Sequence, residues 1–321
     1  MFPQPTNTIQ GNQCTLADSR YSQTRKLEGA DPAGYKREIA PMQISQNFGP
    51  DVAGSGRPNP DISLISNDFV IFYADQSTLL RLSNNNFKGL LPLPNRQHKE
   101  VFLQDLSSSE LEIFLQAIYN IPTTPASTAC EGNMTKLHIL VRGVRWLPIF
   151  GIPAKSVIFP NTHAFNCIVS FAPLCPVEVY AFAGYHDMDD LAVAVSPHTL
   201  PFEPWNIDEE LAVRMGAKYL SRLVRLHLRR RSILMNMLAI EPELHSPTKA
   251  CGLGAQRELK EKWYMAIALL TPEIKADTET GHIRELVMAQ TNDLTCEECI
   301  KARDARLNAI LTEWSISVRS I

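Results

Sequence analysis

The chain changes character at Asp61, and that change limits its possible folds more than any other feature. Before it, residues 1 to about 58 are rich in Gln, Asn, Ser, Gly and Pro, with no helical or alternating apolar period. This part runs into Gly54-Ser55-Gly56-Arg57-Pro58-Asn59-Pro60, which is linker chemistry. Residues 1–58 therefore read as a disordered polar tail. After Asp61 come short β-branched and aromatic runs, and then helical patterns almost to the end. Such an order suits an α+β domain followed by an all-helical region.

Within the first folded stretch, Ile62, Leu64 and Ile65 form a strand-like run, Ser66-Asn67-Asp68 a turn, and Phe69 to Tyr73 a second strand. Ser77 can cap a helix over Thr78 to Leu82. Phe87, Leu90 and Leu91 suggest a second short helix, ended by Pro92 and Pro94, and Val101 to Leu103 a third strand. Ser107 to Ser109 before Glu110 is an N-cap signal for a helix carrying Leu111, Phe114, Leu115, Ile118 and Tyr119. A loop over Thr123 to Met134 leads to a helix with Leu137, Val141, Val144 and Leu147 on one face. Further helices are expected over 177–183, 188–194, 209–215, 219–240, 256–270, 283–290 and 299–317.

Composition narrows the class. The 321 residues are 45% hydrophobic and 20% charged, as in globular chains, and the net charge of −3 gives no global basic field for nucleic acid. Met1 to Gly11 lacks the basic start and apolar run of a secretory signal. The most apolar window, Trp146 to Pro160, holds three prolines and Lys155, which does not suit a bilayer. Seven cysteines, mostly scattered, do not make a disulfide framework, so a reducing cytoplasm or nucleus is the expected compartment.

The order strand, hairpin, strand, short helices, strand, helix, with Asp61, Leu79, Leu80, Ser83, Phe87 and Tyr119 at their positions in it, resembles a BTB/POZ domain. The segments Leu79 to Leu93, Pro176 to Val195 and Thr312 to Ile321 are similar to fungal (basidiomycete) BTB-containing proteins. The resemblance implies a BTB/POZ-like domain over 59–158, in which helices cover short strands. It implies a BACK-like helical region over 159–240 and a C-terminal helical region over 241–321. It also implies a non-enzymatic protein–protein interaction module that associates with itself or recruits partners. A cullin ubiquitin-ligase adaptor and a nuclear transcriptional regulator are the alternatives. Two departures stand out. Tyr73-Ala74-Asp75-Gln76 replaces the family's usual His before the first helix, and Leu90 to Pro94 lacks the acid of cullin binders.

The strongest chemical motif is Cys296-Glu297-Glu298-Cys299. A C-x-x-C pair lets two thiolates meet one zinc, and Cys251 with either His245 or His282 could complete four ligands. The plainer reading is two cysteines at a helix start. His186-Asp187 with Asp189 and Asp190 resembles a metal-hydrolase fragment, but reads better as a polar turn opening a helix. Arg222, Arg225, Arg229, Arg230 and Arg231 alternate with Leu223, Leu228 and Leu234, which suggests an amphipathic helix with a solvated basic face. Trp146, Trp205, Trp263 and Trp314 are expected in the core, and no serine-nucleophile elbow or phosphate loop occurs.

Overall fold

The computed structural model describes residues 42–51, 57–92, 99–122 and 133–321. The tail over 1–41, the linker residues 52–56, residues 93–98 and the loop residues 123–132 lie outside the described residues. The fold is α+β, and the chain divides into two compact units, Met1–Glu178 and Val179–Ile321.

The first unit holds a four-stranded sheet: β1 (Gln43–Ile44), β2 (Ile62–Ser66), β3 (Val70–Ala74) and β4 (Glu100–Leu103). The spatial order is β1-β3-β2-β4. The β2–β3 hairpin is antiparallel, with Leu64 opposite Phe72, while β4 runs parallel to β2 with Val101 beside Leu64. Leu64, Phe72, Val101 and Leu103 are buried. Short strands cannot bury themselves, so helices cover them. The unit's helices are α1 (Gln76–Leu82), α2 (Ser108–Tyr119), α3 (Asn133–Ile149), α4 (Ala154–Val157) and α5 (His163–Ser170), with α3 and α5 packed on α2 and α4 on α3. Ser107 and Glu110 form a capping box at the start of α2. Helices α2 and α3 meet so closely at Gly143 that a Cβ there would lie 2.6 Å from Ile113 Cβ.

Three details of this unit correct the sequence reading. Residues 42–51 are not part of a disordered tail: β1 pairs in parallel with β3, and Phe48 is fully buried. A two-residue strand held by backbone bonds carries no apolar period, so the sequence hid it. The cap of α1 is Asp75, two residues earlier than expected, and Ser77 instead donates to the Asp75 carboxylate. Phe87 to Leu91 is not a helix, because Asn86, Phe87, Lys88 and Gly89 all have positive φ and form left-handed turns.

Helix α6 (Pro176–Tyr185) spans the division between the units. Next come α7 (Asp189–Val195), α8 (Glu209–Leu238), α9 (Leu253–Leu270), α10 (Thr280–Gln290) and α11 (Glu297–Ile316). Helix α8 is broken at Gly216 (φ 70°, ψ 161°), where the sequence had separated 209–215 from 219–240. Gly184 faces this break, and a Cβ on it would lie 2.6 Å from the Met215 carbonyl oxygen. Leu234, Met237 and Leu238 of α8 share one core with Trp263, Leu270, Ile283, Val287, Leu307, Ile310 and Trp314. The compact unit Val179–Ile321 runs through 240/241, and Met1–Glu178 runs through 158/159, with the His163 N–H of α5 donating to Asn120 Oδ1 at the end of α2.

Trp263 and Trp314 are core residues, as expected, but Trp205 is 73% exposed. Arg230 is also misplaced by the amphipathic reading. It is buried, donates to the carbonyls of Ala276, Ser317 and Val318, and stacks 4.0 Å from the centre of the Trp314 ring. Burial lowers its pKa to about 10. Leu228, assigned to the apolar face, is exposed instead. Among the described residues, no helix is long and apolar enough to cross a membrane.

Candidate metal centre

The loop over residues 241–252, between α8 and α9, has no regular structure and is held by side chains. Glu241 takes an ion pair from Lys260 and a hydrogen bond from Tyr264 Oη, both on α9. Gln256, buried on the first turns of α9, donates through Nε2 to the His245 carbonyl at 2.9 Å. Thr248 and Cys251 bond backbone to backbone, and the Cys251 N–H also reaches Thr248 Oγ1 at 3.0 Å. These bonds turn the loop back onto the start of α11, where Cys296 is the N-cap and Cys299 lies on the first turn. Leu244, Leu259 and Leu294 pack around the cysteines.

The result brings His245, Cys251, Cys296 and Cys299 together, with one ligand atom from each within 4.8 Å of the others. Cys251 Sγ is 3.7 Å from Cys299 Sγ, and His245 Nε2 is 3.4 Å from both Cys296 Sγ and Cys299 Sγ. His245 Nδ1 is 2.8 Å from the Ser246 carbonyl oxygen. That bond requires the proton on Nδ1, which leaves the Nε2 lone pair facing the sulfurs, the usual arrangement of a metal-binding histidine. The set can hold a metal ion.

The electrostatics divide the cysteines. Backbone N–H groups of Cys299 and Glu298 at the helix start lower the Cys296 thiol to about 7. Burial raises the thiols of Cys251 and Cys299. The Ser246 carbonyl raises the imidazole of His245. Without a cation the buried thiols keep their protons, so metal binding here would release protons. The sequence had left His245 and His282 as alternatives for the fourth ligand. The structure selects His245, since His282 pairs with Glu273.

The remaining candidates are spent on structure. Asp61 Oδ1 accepts the Gln76 N–H at 2.7 Å, which ties β2 to the start of α1. Leu79 is fully buried and Leu80 half-buried. Ser83 Oγ donates to the Phe150 carbonyl and accepts the Phe87 N–H, both at 2.7 Å. The Phe87 ring packs 4.4 Å from Phe150 and 6.0 Å from Phe114. Tyr119 Oη donates to Asp75 Oδ1 at 2.8 Å and accepts the Asp75 N–H. Asp75 was named in the sequence only as the residue standing near a missing histidine. Its position before a helix was the signal that it caps one. His186 lies against the rings of Phe182 and Tyr185, and burial lowers its pKa to about 4. Asp187 and Asp189 are bound by Lys218, Tyr219 and Arg222.

No family model, no curated protein and no solved structure matches this chain.

Proposed function

We propose that the protein is a non-enzymatic interaction protein. Its first unit is a BTB-type module that associates with itself or recruits protein partners, and its second unit is an all-helical region stapled by structural zinc. The four-ligand cluster carries the zinc reading. Tetrahedral zinc with Zn–S near 2.3 Å and Zn–N near 2.0 Å has S···S edges of about 3.8 Å and S···N edges of about 3.5 Å. Three of the six edges, 3.7 Å between Cys251 and Cys299 and 3.4 Å from His245 to Cys296 and to Cys299, lie near these values. Three cysteines and one histidine form a closed set, which suits a structural role rather than catalysis. Elemental analysis of purified full-length protein is expected to give about one zinc per chain. Protein loaded in excess zinc that retains none would remove this reading.

The interaction reading is supported by the framework of Asp61, Ser83, Phe87 and Tyr119, which ties the hairpin to the helices. It is also supported by a ring pair, Phe69 and Phe102, stacked 5.8 Å apart and exposed among the described residues. Light scattering of the full chain, with affinity capture from its own host, tests it. A defined oligomer or a retained partner is expected. Phe102→Ser should weaken that association while leaving the melting temperature within about 2 °C, as for other surface substitutions. A monomer that captures nothing would end the reading. Capture of a cullin would favour the adaptor alternative despite the missing acid at Leu90 to Pro94.

A further inference from the structure

The four ligands differ in what can reach them. Cys251 and Cys299 are each 1% exposed, whereas Cys296 and His245 are only partly covered. His245 lines an open pocket with Leu244, Glu298, Lys301 and Arg306, which meets the centre at the histidine, while Cys296 is reached through its own partly covered surface. Cys296 and Cys299 occupy the N-cap and first turn of one helix, with their sulfurs within 4.8 Å. An extended N-cap cysteine followed by a cysteine in the first helical turn is the C-x-x-C arrangement of thiol–disulfide sites, which can close as a disulfide. Cys251 reaches the centre from a separate loop.

We propose that Cys296 is an oxidation site for hydroperoxides, and that its oxidation opens the zinc centre. This rests on the zinc reading above. With hydrogen peroxide, the Cys296 thiolate attacks one oxygen. An S–O bond forms, the O–O bond breaks, and the departing hydroxide takes a proton to become water. The Cys299 thiolate then attacks the sulfur of the Cys296 sulfenic acid. An S–S bond forms, the S–O bond breaks, and a second hydroxide leaves and is protonated. The two thiolates give up two electrons and the peroxide accepts both. Zinc is left with His245 and Cys251 alone and dissociates, and the contact that pins the 241–252 loop to α11 is lost. A dithiol reductant with added zinc restores the centre.

The test uses full-length protein, with zinc content measured before oxidation. Hydrogen peroxide is then added with a chromogenic zinc indicator, and the cysteine linkages are mapped by mass spectrometry. The expected result is release of about one zinc per chain together with a Cys296–Cys299 disulfide, both reversed by dithiothreitol and zinc. Cys296→Ser protein that still holds zinc should release it about ten-fold more slowly. If that variant does not fold, the linkage map of the unaltered chain decides. Zinc-loaded protein that keeps its metal while the partly covered Cys167 is oxidised overturns the proposal and leaves the zinc reading standing. So does a Cys251–Cys299 disulfide with Cys296 unmodified. Protein that holds no zinc before peroxide overturns both.

Discussion

At the scale of single residues, Asp75 shows how much one side chain can organise. It caps α1, accepts from Ser77 and Tyr119, and its own N–H returns to Tyr119 Oη. Burial alone would raise its carboxyl. The hydrogen bonds from Thr78, Tyr119 and Ser77 outweigh burial and hold it below the usual carboxylate range. A carboxylate with a lowered pKa adds stability above the ordinary carboxylate pKa and loses it as pH falls through the folded value. Asp75→Asn should therefore cost about 1–3 kcal/mol at pH 7, from a weakened cap and a disturbed tyrosine. The gap between variant and parent should narrow below about pH 4. Paired thermal melts at pH 7 and pH 3 check both signs, and a constant gap would mean that the charge of Asp75 is not what holds α1.

At the scale of elements, the close approaches are made by glycines. Gly143→Ala would force α2 and α3 apart and should destabilise the first unit by about 1–3 kcal/mol. Gly281→Ala is its control: α10 leaves open space there, so the change should stabilise by up to about 1 kcal/mol. Chemical denaturation of both variants reads the opposite signs. Most helices and the β2–β3 hairpin were legible in the sequence, because amphipathic spacing and turn residues are local signals. The break in α8 was legible too, since the apolar pattern lapses around Gly216. What stayed hidden depends on distant partners. Strand β1 exists only because β3 offers an edge, and Phe87 to Leu91 has helical spacing but is bent left-handed by bonds to Ser83 and Asn85. The cysteine pair was visible at once. The choice of His245 was not, because it follows from how Gln256, Lys260 and Tyr264 fold the preceding loop.

At the scale of the whole molecule, the chain divides into two compact units with different means of support. The first relies on a sheet under helices, and the second adds a four-ligand cluster to a helical core. Removing zinc should then act on one unit only. Hydrogen exchange after treatment with a strong chelator should accelerate in residues 241–256 and 294–303, with β2, β3 and α2 unchanged. Equal acceleration across both units would mean that they unfold as one, and no change would mean that the cluster bears no metal. The second unit also joins residues far apart in the chain. The donors of Arg230 are satisfied by carbonyls at Ala276, Ser317 and Val318, the last 88 positions downstream. A ribosome delivers these groups in order, so the guanidinium must wait in water, or in a chaperone's grip, until residue 318 has left the exit tunnel. The second unit therefore cannot close piecemeal during synthesis.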